Sequence, residues 1–337
     1  MRFFSALVIS VVFFSFSASA RDQIRIVGSS TVFPFTSAAA EQFGDKTDFK
    51  TPVVESTGTG GGIKLFCDNS GIEQTPDIAD ASRPMKDAEY ALCKKNGTEN
   101  VIEIAIGYDG IVIANSYGET LFELSLKDLF LALSHYQIKD GKLIDNTYKT
   151  WKEVNPQLPD TKIEVYGPPP TSGTRDAFVE IVMEKVCKQF PEFEAAYPDE
   201  DARKKACGMV REDGAYIDAG ENDNIIVQKL RANRTALGIF GFSFLEENAS
   251  LVQGAVIDGV APTFDNITDE KYPISRTLYV YVNGGHLGKV PGIKEFLAEL
   301  VSDDAASEDG YLSLQGLIPL HESQRQKMKE KVENLHE

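Results

Sequence analysis

Strand and helix signals alternate along this chain from its third decade of residues almost to its end, and that alternation restricts the fold more than any other feature. "QIRIV" (Gln23 to Val27) reads as a strand, followed by a helical pattern from about Phe33. "FKTPVV" then gives way to a helix from about Gly61, and "PDIADAS" to one near Asp87. Such alternation predicts an α/β architecture on a largely parallel sheet. The second half repeats it with the helical "LSLKDLFLALS", the strand "TKIEVY" (Thr161 to Tyr166), a helix from Thr174, the helix "DNIIVQKLRAN" and the strand "LGIFGF". A strongly β segment, "RTLYVYVN" (Arg276 to Asn283), precedes "PGIKEFLAELVSDD" and a charged terminal helix from about Glu322.

The length exceeds what one hydrophobic core usually covers, so two lobes are expected. "VIEIAIGYDGIVIAN" (Val101 to Asn115) holds two apolar segments broken by Tyr108, Asp109 and Gly110, the second placed to cross into a new lobe. If "RTLYVYVN" returns to the first lobe, the chain crosses twice and the halves hinge about paired strands.

The opening "MRFFSALVISVVFFSFSASA" carries one Arg, a short apolar core and an A-x-A ending at Ala20. It reads as a cleaved secretory signal, with cleavage after Ala20, rather than a membrane anchor. Without a cysteine near that point, no lipid anchor is expected. The four cysteines, Cys67, Cys93, Cys187 and Cys207, allow three pairings. They fall into two local pairs, which in an exported protein favours Cys67–Cys93 and Cys187–Cys207 over four buried thiols. No C-x-x-C occurs and the histidines are scattered, so no metal site is expected. A formal charge of −17 argues against nucleic acid and anionic membranes as partners. It does not exclude a small anion, which responds to local dipoles.

Four short turns share one chemistry: "GSSTVFPF" (Gly28 to Phe35), "STGTGGGIK" (Ser56 to Lys64), "ASRP" (Ala81 to Pro84) and "TSGTRDAF" (Thr171 to Phe178). The first, second and fourth each join an apparent strand to an apparent helix, which puts free N–H groups and the positive dipole end at the strand's C-terminal edge. Glycine permits close approach, and each Ser or Thr adds a hydroxyl. Any one turn is explained by ordinary N-capping; three together, with Arg83 and Arg175 beside two turns of the set, describe a site for a small oxyanion. Catalytic motifs are weaker. "GTGGGIK" lacks the G-K-[ST] ending of a phosphate-binding loop, and "GFSF" is not G-x-S-x-G. "DAGENDN" (Asp218 to Asn224) departs from the calcium-loop pattern and reads as a solvated loop.

With these segments in view, the chain resembles the periplasmic phosphate-binding proteins of bacterial phosphate ABC importers. "IVGSSTVFPF", "ESTGTGGGIK", "DIADASRPM", "YDGIVIAN", "TSGTRDAFVE" and "YPISRTLYVYVN" stand in the family's order. The resemblance implies a two-lobed periplasmic-binding-protein fold, two α/β lobes joined by two crossover strands, with lobe I at 21–112 and 277–337 and lobe II at 113–276. It also implies a periplasmic, non-catalytic monomer without cofactor that closes on phosphate and delivers it to a membrane permease. Position by position, Ser30, Thr31 and the Val32 amide match the first phosphate turn, Thr59 stands where a family serine binds, and Ser172, Gly173 and Thr174 match the fourth. Two departures stand out: Arg83 occupies a position where some members have Asp, and Pro168 one where many have Arg. On this reading Arg83 and Arg175 supply the positive charge, and Asp109 accepts the phosphate proton, with Asp80 and Asp176 as alternatives. Two other readings remain: a secreted phosphate-ester hydrolase using Ser30 or Ser172 as nucleophile, and a signalling or adhesive protein on the same lobes.

Overall fold

The computed structural model describes residues 21–220 and 222–336; the expected signal segment, 1–20, lies outside them. Three short strands, β1 (Arg25–Gly28), β2 (Val53–Ser56) and β3 (Ile78–Ala81), run parallel with β1 in the middle. They lead into α1 (Phe33–Lys46), α2 (Thr59–Phe66) and α3 (Asp87–Asn96). The right-handed return of each helix stacks the strand ends, with their turns, along one edge of the sheet. Gly28, at φ +144°, makes this packing possible: a Cβ there would lie 2.1 Å from the Asp80 carbonyl oxygen.

The expected break at Tyr108–Gly110 does not exist. Val101–Ser116 is one unbroken sixteen-residue strand, β4. Its first half pairs antiparallel with Ser275–Asn283, from Val101 opposite Asn283 to Gly110 opposite Ser275. From Ile111 onward it pairs antiparallel with Leu237–Gly241. The polar interruption marks the place where the strand changes partners, and Tyr108 there exchanges backbone hydrogen bonds with Ile318.

In lobe II, β5 (Val165–Gly167) lies between β6 (Tyr216–Asp218) and β7 (Leu237–Gly241), parallel to both, while β8 (Val252–Gly254) pairs with the end of β4. With β9 (Ser275–Asn283), the order is β2-β1-β3-β9-β4-β7-β5-β6. The sheet is therefore mixed rather than largely parallel, because the two strands that pass between lobes run antiparallel to each other and to their neighbours. The strand expected over Thr161–Tyr166 is shorter and later, with the Lys162 backbone in an isolated bridge to Thr150.

Each half has its own core. Ile26, Phe43, Ile104, Val280 and Phe296 pack together in lobe I, and Phe130, Trp151, Phe178, Phe193 and Phe240 in lobe II. Burying each such side chain contributes about 1.5–3 kcal/mol, so both halves carry the apolar mass of a folded unit. Disulfides join Cys67 to Cys93 and Cys187 to Cys207. Among the described residues, no helix is long and apolar enough to cross a membrane.

Candidate functional site

Three of the four hydroxyl turns meet between the lobes. A cavity of about 230 Å³ is lined by Ser29, Ser30 and Thr31 from the first turn, Gly58 and Thr59 from the second, and Ser82 from the third. Its opposite wall is lobe II: Asp176, Val179, Glu180, Glu184 and Lys204.

The lobe I half is preorganised. Thr59 is almost fully buried at the start of α2; its Oγ1 lies 3.0 Å from Ser82 Oγ and accepts the Ser82 N–H. No side chain caps α2, which opens from Gly58 at φ +74° onto the cavity. The first amides of such a helix need partners, and an anion is one kind of group suited to supply them. At the first turn the Ser29 hydroxyl accepts from the amides of Thr31 and Val32. Val32 thus satisfies its amide within the turn, and its fully buried side chain belongs to the core.

The fourth turn does something else. Ser172 Oγ accepts from the Thr174 amide and caps its own helix, α4 (Gly173–Phe178). Ser172, Gly173 and Thr174 do not line the cavity; they pack against the first turn. Thr31 Oγ1 donates to the Gly173 carbonyl at 3.3 Å, and a Cβ at Gly173 would lie 3.1 Å from the Ser30 carbonyl and from Thr31 Cα. Glycine at this position lets the lobes touch. One turn further, Asp176 accepts a 2.6 Å hydrogen bond from Ser30 Oγ across the interface.

After α4 the helix widens into a π-helical turn, Val179–Glu184, before α5 (Lys185–Cys187). Such turns recur at functional sites; this one presents Glu180 and Glu184 to the cavity. Lys204 comes from α6 (Glu200–Gly208), which the Cys187–Cys207 bridge ties to α5, and lies 3.7 Å from Glu184. Burial raises the Glu184 carboxyl above its usual range, with Lys204 opposing.

The expected charges sit elsewhere. Arg83 is held by both carboxylate oxygens of Glu89, at 2.8 and 2.9 Å. Arg175 lies over the Tyr216 ring, 4.1 Å from its centre. Asp109 is paired with Arg276, a residue whose role sequence reasoning missed although its segment was singled out. From β9 the Arg276 guanidinium donates to Asp109 on β4 (3.3 Å), Glu180 of lobe II (2.6 Å) and Thr31 of the first turn (2.8 Å). Burial raises the Asp109 carboxyl, and Arg276 partly offsets that. Asp80 lies beneath the first turn, wholly buried; it accepts from Thr36 Oγ1 at 2.7 Å, its Oδ1 has no partner, and burial pushes its pKa up to about 8. Ser29 and Ser82 were legible inside turns already noted, whereas Glu184 and Lys204 had no local signal.

Residues 15–304 match the family model of the PBP superfamily domain. The chain is 31% identical over 299 residues to Protein SphX of Synechocystis, covering 86% of this chain and 78% of that one. It is 29% identical over 309 residues to the phosphate-binding protein PstS of Staphylococcus saprophyticus, covering 88% and 82%. A crystal structure described as a possible phosphate binding protein from Planctomyces limnophilus superposes with a TM-score of 0.76 at 28% identity, covering 94% of this chain and 99% of that one.

Proposed function

The chain belongs to the PBP superfamily, in the branch that holds SphX and the PstS phosphate-binding proteins, and on that premise we propose that it captures inorganic phosphate between its lobes and delivers it to an ABC permease. The observation that carries this is the convergence of the first three turns on one cavity, with the uncapped N-terminus of α2 opening into it. Ser30, Thr31, Thr59 and Ser82 supply hydroxyls, and the α2 amides supply N–H groups to an anion that completes the helix. Lys204 is the cation among the described residues lining the cavity, and Arg276, bonded to Thr31, adds positive charge behind the first turn. Val32 belongs to the lobe I core and Ser172–Thr174 shape the contact between the lobes, while Arg83, Arg175 and Asp109 act through their partners.

The wall of lobe II bears on selectivity. Hydrogen phosphate carries a proton to donate, and sulfate at neutral pH has none, so Asp176, Glu180 and Glu184 reward the first and repel the second. Asp176, already an acceptor for Ser30, is the acid best placed to take that proton. A hydrolytic role is disfavoured: Ser172 is a helix cap, no histidine is among the described residues lining the cavity, and the Staphylococcus relative is named a phosphate-binding protein.

We assign lobe I to 21–112 and 277–337 and lobe II to 113–276, and place the mature protein outside the cytoplasm as a monomer. Calorimetric titration with phosphate and with sulfate tests the reading. One phosphate site per chain with sulfate at least about tenfold weaker is expected; no heat with phosphate, or equal binding of both, would overturn it.

A further inference from the structure

The lobe II wall of the cavity between the turns has a second side. Glu184 and Lys204 also line a second cavity of about 520 Å³, whose walls include Phe190, Pro191, Phe193, Lys188 and Glu200 of lobe II and Lys86 of lobe I. The Glu184–Lys204 pair is therefore a shared partition. Its lysine side chain is 60% exposed, and an ion pair so open to solvent holds its geometry weakly. We propose, resting on the phosphate reading above, that this site also accepts phosphate groups bearing one organic substituent, namely phosphonates and phosphate monoesters. The tetrahedral head sits at the hydroxyl turns, and the substituent passes the Glu184–Lys204 partition into the second cavity.

Three observations support this. The second cavity falls within the usual range of small-molecule sites, about 300–1,000 Å³, whereas the first lies below it. The substituent position of a head held by the three lobe I turns faces Asp176, Glu180 and Glu184. A charged oxygen there is repelled by these acids, whereas the P–OH of hydrogen phosphate, a carbon or an ester oxygen is not. Finally, the second cavity mixes cations (Lys86, Lys188, Arg203) with acids (Glu194, Glu200) around two phenylalanines and a proline. Interspersed charges of both signs around an apolar floor suit a small uncharged alkyl or aryl tail.

The test titrates phosphate-free full-length protein with inorganic phosphate and with phenylphosphonate, whose C–P bond resists hydrolysis. A second series uses Glu200→Trp, an exposed position that lines the second cavity but not the first. Phenylphosphonate is expected to compete with phosphate for one site, and the tryptophan to weaken phenylphosphonate about tenfold or more while leaving phosphate unchanged. Lys188→Trp, from the exposed face of the same cavity, should do likewise and guards against a folding defect in the first variant. Phosphate binding without phenylphosphonate competition overturns the inference, as does a parallel loss, or no loss, of both ligands in the two variants. Phenylphosphonate binding without phosphate binding supports it and overturns the inorganic-phosphate assignment alone; binding of neither overturns both.

Discussion

Replacing Arg276 with Met should destabilise the ligand-free protein strongly, and do so in a pH-dependent way that Asp109→Asn relieves. The Arg276 side chain is 11% exposed and Asp109 16%, with 3.3 Å between Nε and Oδ2. At that distance Coulomb's law gives about 5 kcal/mol at an effective dielectric of about 20, an upper bound before desolvation. Removing one partner of a buried pair costs about 3–5 kcal/mol, because the other charge stays buried. Glu180, 43% exposed, adds at most about 1 kcal/mol. The expected loss at neutral pH is therefore about 3–6 kcal/mol. Burial already raises the Asp109 pKa above 3.8 and Arg276 opposes this, so the variant raises it further. An acid whose folded pKa exceeds its unfolded value keeps its proton better when folded. Stability then falls as pH rises from the unfolded value to the folded one, and is flat above it. Urea midpoints at about pH 4.5 and about pH 7.5 should thus show a smaller deficit at the acid end. In the Asp109→Asn background the deficit should shrink by about 2 kcal/mol. A deficit equal at both pH values, or one undiminished in that background, would refute the pairing as the source of the cost.

Thr59→Val should weaken phosphate binding by about 1.5–3 kcal/mol, roughly 10- to 150-fold, since it removes the hydroxyl paired with Ser82; an unchanged titration would take the second turn out of the site. Asp80 is neutral below its folded pKa of about 8 and charged in the unfolded chain above 3.8. The parent should therefore lose on the order of 5 kcal/mol as pH rises through that window, and Asp80→Asn should abolish the slope in denaturant midpoints. Replacing Cys187 and Cys207 by Ser opens a loop with a sequence separation of 20 and should cost about 3 kcal/mol. Because the same bridge tethers the helix carrying Lys204, phosphate affinity should fall with it, which calorimetry on the folded variant would read.

The elements were legible where local pattern and tertiary role agree. The strand-turn-helix units of lobe I are each complete within about thirty residues, so "QIRIVGSSTVFPF" carries strand, turn and helix start in one stretch. The hydroxyl turns are legible for the same reason: the groups each brings to the cavity are next to one another in the chain. The fourth turn is ambiguous in sequence because Ser-Gly-Thr before a helix has two uses, capping an anion site and capping the helix itself, and here Ser172 does the second. Only the position of the opposing lobe, with Gly173 pressed on Ser30 and Thr31, decides between them. Likewise "GYDG" looks like a break because polar residues interrupt an apolar run, yet a strand that exchanges one sheet partner for another passes a boundary where both cores end.

Charge was the least legible property, because a guanidinium takes its partner from anywhere in the fold. Arg83 finds Glu89 six residues away, in the first turn of α3, a spacing visible in sequence only once the helix start is known. Arg175 settles on Tyr216 from a neighbouring strand. Arg276 read as one polar residue in a β segment, and its importance comes from β9 being a crossover strand. A side chain at that point reaches the first turn of lobe I through Thr31, the other crossover strand through Asp109, and the π-helical turn of lobe II through Glu180. Thr31 belongs to the first lobe and Glu180 to the second, so Arg276, standing at the crossover, bonds both only while the lobes lie as described, and a swing of lobe II away from lobe I must break one of the two contacts.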